Sequence, residues 1–417
     1  MVSVARNNTP ALRFDGFDGE WEKVSLGDLG IPISGVGFPH SEQGGETGTP
    51  FFKVSDMGQS DNQRELLYAA NYVSAEQIKQ RRWQVSNGPA VVFAKVGAAV
   101  LLDRKRLVRE TFLADNNLMA FVISQSVLLP DFSLSLFETL SLSSLVQVGA
   151  LPSINGSQVQ AMMVSIPPTL QEQRAVGELF SDLDALIEQH RAKHANLQQT
   201  KTALMQRMFP QDGADEPELR LGGFSGVWET VSFDSLLTRV EIGTNILGSN
   251  RYHGIPLLKM GNIQRGYFDF SSFERLPDNA ELPSGSLVRT GDFLFNTRNT
   301  MELVGKGATW MGESGAFAFN GNIARFTLER VDTKFFNYLY NHPRSIRDVS
   351  KCATGTTSVA AIYPRRLKSV QFQIPTLEEQ RAVGEVFSNL DALIAAEDRY
   401  VTQLKQAKTA LLQRMFV

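Results

Sequence analysis

Any catalysis by this 417-residue chain would have to draw on a small stock of reactive groups, with five histidines and one cysteine among them. His190 and His194 fall on one helical stretch, while His40, His253 and His342 stand apart without the spacing of metal ligands. Cys352, being alone, can form neither an internal disulfide nor a cysteine cluster. The chain has no GxxxxGK[ST], no HExxH and no GxSxG, and Gly35-Val-Gly37 lacks the third glycine of a dinucleotide fingerprint. Ile166-Pro-Pro-Thr169 lacks the Asn/Asp and aromatic flanks of an amino-methyltransferase loop and reads as a helix-entry turn. Asp103-Arg-Lys105 lies inside a basic run with Arg106 and Arg109, so it reads as a DNA-facing or solvated turn rather than a nuclease carboxylate–lysine set. What remains is charge, which allows lysines and arginines to contact phosphates without demanding it.

Charge is distributed to match. The whole chain carries −3. Residues 230–374 hold 17 Lys/Arg against 12 Asp/Glu, a net of +5, whereas residues 22–167 hold 11 against 13, a net of −2. The 42% hydrophobic and 20% charged content is that of a soluble globular chain with room for a core in each half. The N-terminus lacks a signal-peptide apolar stretch, and the apolar window 90–102 is short and broken by Lys95. A cytoplasmic protein without a membrane segment is the expectation.

The elements that must position these cations are written twice. Residues 168–209 recur 207 positions later as 375–416, with 27 of 42 aligned positions identical, and Pro10–Trp21 recurs as Pro217–Trp228. Val176, Leu183, His190, Leu197 and Leu204 form one heptad row, flanked by Phe180, Ile187 and Met208. Its counterpart is Val383, Leu390, Glu397, Leu404 and Leu411, flanked by Phe387, Ile394, Val401 and Met415. Pro168-Thr169 and Pro375-Thr376 should start these helices, with Glu172 and Glu379 completing capping boxes. Each helix would run roughly 60 Å at about 1.5 Å per residue. No identity falls between Glu188 and Asn196. In an antiparallel pair those centres meet, so His190 and Arg191 should face Glu397 and Asp398, favouring the pairing of unlike halves.

The inserts between the repeats diverge but keep a common order of strands and turns. Pro50–Met57 matches Ile255–Ile263, Gly88–Gly97 matches Leu287–Phe295, Phe-Ala-Lys95 stands in place of the Asn-Thr-Arg298 that follows, and Asn117 matches Asn322. The Gly355-Thr-Thr run has no clean counterpart at Val148-Gly-Ala150.

Taken in order and repeated at one offset, LRFxGFxGxW, PLLKMGNI, VRTGDFLFNTRN and the IPxTLxEQR helix entry resemble the specificity subunits of type I restriction-modification systems. The resemblance implies an α+β fold of two mixed α/β target-recognition domains in tandem, joined by two long helices packed as an antiparallel coiled coil with internal pseudo-twofold symmetry. The corresponding segments are 1–167, 168–209, 210–374 and 375–417. It implies a non-catalytic subunit that reads a bipartite, asymmetric target in double-stranded DNA. Its partners would be two copies of a methyltransferase subunit on the coil and, through them, restriction subunits; S-adenosylmethionine and ATP with Mg would bind those partners and not this chain. The candidate DNA contacts are Lys53, Lys95, Arg104 and Arg106 in the first domain and Lys259, Arg298, Lys306 and Arg325 in the second. The candidate partner surface is Gln173, Arg174, Lys201 and Arg207 with their copies Gln380, Arg381, Lys408 and Arg414. The alternative is a coiled-coil interaction scaffold without DNA recognition.

Overall fold

The structure is a computed structural model that describes residues 8–146, 152–283 and 285–417. Val148–Ala150 and the first seven residues lie outside the described part. Two compact units divide the chain, and they are not consecutive in sequence: one is 1–192 with 398–417, the other 193–397. Each combines a globular domain with the start of one long helix, Leu170–Arg207 or Leu377–Met415, and the end of the other.

The two domains share a topology that their sequences conceal. A ribbon pairs Glu22–Ser25 with Met163–Ile166 in the first and Glu229–Ser232 with Gln371–Ile374 in the second. An antiparallel sheet follows the order Gly30–Ser34, Leu118–Ile123, Ala90–Ala94, Lys105–Val108, matched by Leu237–Ile242, Ile323–Leu328, Phe293–Asn296, Gly307–Thr309. A three-stranded sheet places Thr49–Phe52 between Tyr72–Val73 and Leu113–Ala114, matched by Pro256–Leu258 between Glu274–Arg275 and Ala318–Phe319. The second domain adds a small sheet of Arg298–Asn299, Ala360–Ala361 and Thr354–Gly355. Ala90–Ala94 and Phe293–Asn296 are buried along their whole length, which is why they read as continuous apolar runs rather than alternating ones. Gly35 and Gly243 follow the first strand of each larger sheet, where a Cβ would lie 1.9 Å from Asp115 O and 2.1 Å from Phe319 O. The Gly-Val-Gly string is therefore a backbone crossing.

Most of the repeated sequence attaches helices to domains. Arg13 grips Glu172 through two hydrogen bonds of 2.7 Å, and Arg220 grips Glu379 at 2.8 and 2.7 Å. Trp21 Nε1 adds a third donor to Glu172 at 3.1 Å. These glutamates are 1% exposed, and with their carboxylates so occupied the expected capping boxes are replaced by clamps. Thr169 and Thr376 still cap, accepting from Glu172 N at 3.3 Å and Glu379 N at 3.4 Å. One turn on, Gly177 and Gly384 let the helix cross a domain helix closely, since a Cβ there would meet Phe132 N at 2.7 Å or Phe335 N at 2.9 Å. The Met-Phe that ends each helix plugs the other half's domain. Phe416 packs on Trp21 and Phe132, with centroids 5.8 and 5.4 Å away, and Phe209 packs on Trp228 and Phe335 at 5.9 and 5.7 Å.

Within each unit the helices run antiparallel and are bridged at equivalent positions. Asp184 meets Lys408 at 2.7 Å in the first unit, and Lys201 bonds Asp391 in the second. Leu183, Leu197, Leu390 and Leu404 are only half-buried, as expected where two helices share a single seam without further cover. At the centre the helices meet through polar and aromatic side chains. Lys193 bonds Glu397 at 2.6 Å, the His190 ring stands edge-on to Tyr400 with centroids 4.5 Å apart, and Arg191 turns back along its own helix to Glu188. Glu397 thus meets the opposite helix in the region that the sequence indicates, while Arg191 is taken by Glu188.

Candidate nucleic-acid interface

Each domain carries the same device at the end of its three-stranded sheet. Lys53 and Lys259 follow the central strand, and the residue three positions on caps the turn: Asp56 Oδ2 accepts from Lys53 N at 2.7 Å, and Asn262 Oδ1 accepts from Lys259 N at 2.9 Å. The Lys53 ammonium donates to Gln43 Oε1 at 3.0 Å, and Lys259 pairs with Glu274 at 2.7 Å while remaining exposed.

The structure separates the eight candidate DNA cations into groups. Lys95, Arg104 and Arg298 make no side-chain hydrogen bond or ion pair among the described residues, so their charge is available to a ligand. Lys95 does not, however, occupy the place of Arg298. Lys95 N donates to Asn117 O at 2.8 Å as Thr297 N donates to Asn322 O at 2.9 Å, so the register is one residue off the sequence alignment and Val96 stands at the Arg298 position. The cause is that the strands, not the polar residues after them, fix the register: Ala94 pairs with Leu118 as Asn296 pairs with Ile323.

Three candidates are committed elsewhere. Arg325 is 1% exposed on a central strand, where Glu241, Asp292 at 3.1 Å and Leu287 O at 2.8 Å take its guanidinium. It is an internal tie and faces no groove. Arg106 donates to Asn62 O at 2.6 Å, Lys105 O at 2.8 Å and Met57 O at 3.1 Å. Burial, with neighbouring Arg104 adding to it, lowers its pKa to about 10. Lys306 Nζ donates to Gln264 Oε1 at 2.6 Å. Lys105 is buried against Asp103 at 2.9 Å and Leu140 O at 2.8 Å, which makes the Asp-Arg-Lys string a structural turn. The sequence reading passes over Arg265, a half-exposed cation on the 264–267 turn; a lone arginine without motif or repeat gives no signal.

The helix candidates divide in the same way. Gln173 and Gln380, 2% and 1% exposed, bond their own domains: Gln173 joins Leu129 N and Val127 O, each at 3.0 Å, and Gln380 accepts from Asp332 N at 2.8 Å. Lys408 bridges Asp184 and Glu138, the latter with its pKa raised by burial, and Lys201 serves Asp391 beside Tyr338. These four hold the fold and are withdrawn as surface contacts. Arg174, Arg381, Arg207 and Arg414 are exposed, as are the identical pairs Glu178/Glu385, Gln199/Gln406 and Gln206/Gln413. Positions 174, 178, 185, 199, 203 and 206 share one helical face. Among the described residues no group of three or more His, Cys, Asp or Glu is set to hold a metal, and no helix is long and apolar enough to cross a membrane.

Comparisons with known proteins agree with this architecture. The sequence model of the type I restriction modification DNA specificity domain matches residues 18–199. The MjaVIII type I restriction enzyme specificity subunit of Methanocaldococcus jannaschii is 24% identical over 291 residues, 67% of each chain. The EcoKI specificity subunit of Escherichia coli is 21% identical over 274 residues, 64% of this chain and 58% of that one. Among solved structures, the S subunit of a type I restriction-modification system from M. genitalium superposes with a TM-score of 0.65 at 13% identity, covering 98% of this chain and 99% of that one. A second, from work on assembly and conformational transition of a type I R-M system, gives 0.52 at 19% identity, covering 95% and 97%.

Proposed function

We propose that this chain, whose residues 18–199 match the type I restriction modification DNA specificity domain, is the non-catalytic specificity subunit of such a system, reading a bipartite, asymmetric target in double-stranded DNA. One observation carries the reading: two domains of one topology stand on identical clamps, yet their loops and charges differ. A repeated frame with unlike inserts offers equivalent attachment and unequal recognition. Exposed or half-exposed cations in both domains, Lys95 and Arg104 with Lys53 in the first and Arg298 with Lys259 in the second, would set the position on phosphates while other side chains read base edges.

The exposed identical residues of the two helices supply the partner surface. Substitution at such positions is nearly neutral for stability, so their duplication fits two copies of one methyltransferase subunit, docked on Arg174 and Glu178 and on Arg381 and Glu385, with restriction subunits attached through them. S-adenosylmethionine and ATP with Mg would bind those partners, and the assembly would act in the cytoplasm on the genome. Reversing Arg174 and Arg381 to Glu together tests the docking. The expected result in a mass measurement is loss of the two-to-one complex; an unchanged stoichiometry overturns it. A salt-dependent shift of duplex DNA by the assembled complex tests recognition, and its absence favours the scaffold reading.

A further inference from the structure

The turn after Lys53 and Lys259 opens into a loop in each domain, and the two loops are built alike. Both are closed at the base by the capping residue of the turn. Asp56 Oδ1 accepts from Ala70 N at 3.2 Å in the first domain, and Asn262 Nδ2 donates to Asp269 O at 2.9 Å and Ser272 O at 2.8 Å in the second. Both are held from the side by a cation near the same strand of the larger sheet. Arg106 donates to the Asn62 and Met57 carbonyls, and Lys306 donates to the Gln264 amide. Each loop is also stapled internally. Asn62 Nδ2 donates to Tyr68 O at 2.7 Å, while Gln264 N donates to Tyr267 O at 2.9 Å around Gly266, whose φ of +84° suits glycine. The outcome is the same in both: a tyrosine held out in solvent, Tyr68 58% and Tyr267 62% exposed, on backbone that has little freedom to move. A large ring left in water on a pinned loop has no role in the core. Two cations that make no side-chain hydrogen bond or ion pair among the described residues adjoin it. A Cβ on Gly58 would lie 3.2 Å from the Arg104 guanidinium, and Arg265 sits between Gln264 and Gly266.

We propose that residues 56–70 and 262–272 are the base-reading loops of the two domains, that Tyr68 and Tyr267 contact base edges in the major groove, and that Arg106 and Lys306 are positioning residues that aim them. The proposal rests on the DNA-recognition reading above. Tyrosine is chemically suited to reading bases, because its ring packs on a thymine methyl or on sugar and its hydroxyl both donates and accepts toward a base edge. The anchors explain why two candidate phosphate contacts spend their hydrogen bonds on loop backbone and amide groups.

The test uses the full chain assembled with its methyltransferase partners, read by base-resolution sequencing of methylated DNA. Tyr68→Ala should relax base preference in one half-site, by roughly tenfold or more in discrimination, and leave the other half-site and the spacer alone. Tyr267→Ala should do the same to the other half-site. Lys306→Met should weaken discrimination in the Tyr267 half-site while leaving the salt dependence of binding unchanged, since an anchor releases no counterions. Both alanine variants replace exposed side chains, and a thermal melt confirms their folding. Unchanged motifs from folded, assembled Tyr68→Ala and Tyr267→Ala complexes overturn the proposal. A wild-type complex that methylates without any bipartite motif removes the recognition reading itself, which is a separate result.

Discussion

Glu172 and Glu379 show how much a single buried carboxylate can carry here. Each accepts a bidentate arginine from a segment about 159 residues away. Removing one partner from a buried pair leaves the other uncompensated, so Glu172→Gln should destabilise the first unit by roughly 3 kcal/mol. Calorimetry should show one of two transitions moving down, with Glu379→Gln moving the other; a single unshifted transition would contradict the clamp. His342 brings a pH dependence that belongs to the second unit. Its burial, together with Arg344 and Arg347, depresses its pKa, and its Nδ1 caps the following helix by accepting from Arg344 N at 3.3 Å. A histidine with a depressed folded pKa contributes stability above its ordinary pKa of about 6.5 that is lost as the pH falls through the folded value. His342→Asn, which can still cap, should remove part of the acid-induced loss of the second unit as the pH falls below about 6.5; melting curves that keep the wild-type pH slope would refute this. The candidate DNA cations illustrate what residue type alone conceals. Lys53 and Arg325 look equivalent in sequence, but strand register sends Arg325 inward to Glu241 and Asp292, partners 84 and 33 positions away that no local pattern reveals. Arg104→Ala and Arg298→Ala should each flatten the salt dependence of DNA binding by about one unit of slope, and folded Arg325→Lys should not.

The long helices were legible because their signal is local: heptad rows, threonine caps and a near-verbatim repeat. Their termini agree with the sequence reading to within a few residues at Leu170–Arg207 and Leu377–Met415. What lay beyond reach was which identical residues face solvent, because Gln173, Gly177 and Phe209 owe their repetition to domain attachment rather than to a partner. The matching topology of the inserts was also only partly legible, since side-chain identity drifts while strand pairing persists. At the helix centre the opposite signs were visible, but Lys193 as the cation on Glu397 was not, because the axial offset and phase of two helices cannot be read from charge alone. The observed pairs still discriminate. With the displacement of 207 residues, two copies of the first half would set Lys193 against His190 and two of the second would set Glu397 against Tyr400, whereas the unlike pairing gives Lys193–Glu397. Lys193→Glu should therefore cost about 0.5 kcal/mol, and adding Glu397→Lys should restore most of it. A double-mutant cycle with no coupling would mean that the centre does not select its partner.

At the scale of the whole molecule, the residues that attach the domains are repeated and the sequences between them are not. Arg13 and Arg220, Glu172 and Glu379, Gly177 and Gly384, and the terminal Met-Phe pairs are the same in both halves, while the strands between the ribbons differ in sequence and agree in topology. Each domain should then be exchangeable as a block from its first ribbon strand to its last, because the clamps, crossings and plugs that attach it come from positions the other half also offers. Replacing residues 22–166 by residues 229–374 yields a chain with two copies of the second domain on the native helices. On the function proposed above, such a chain should fold, assemble with the same partners and methylate a target that carries two copies of one half-site sequence. Sequencing of methylated DNA provides the readout. A target that kept the original first half-site would show that recognition lies outside the exchanged block.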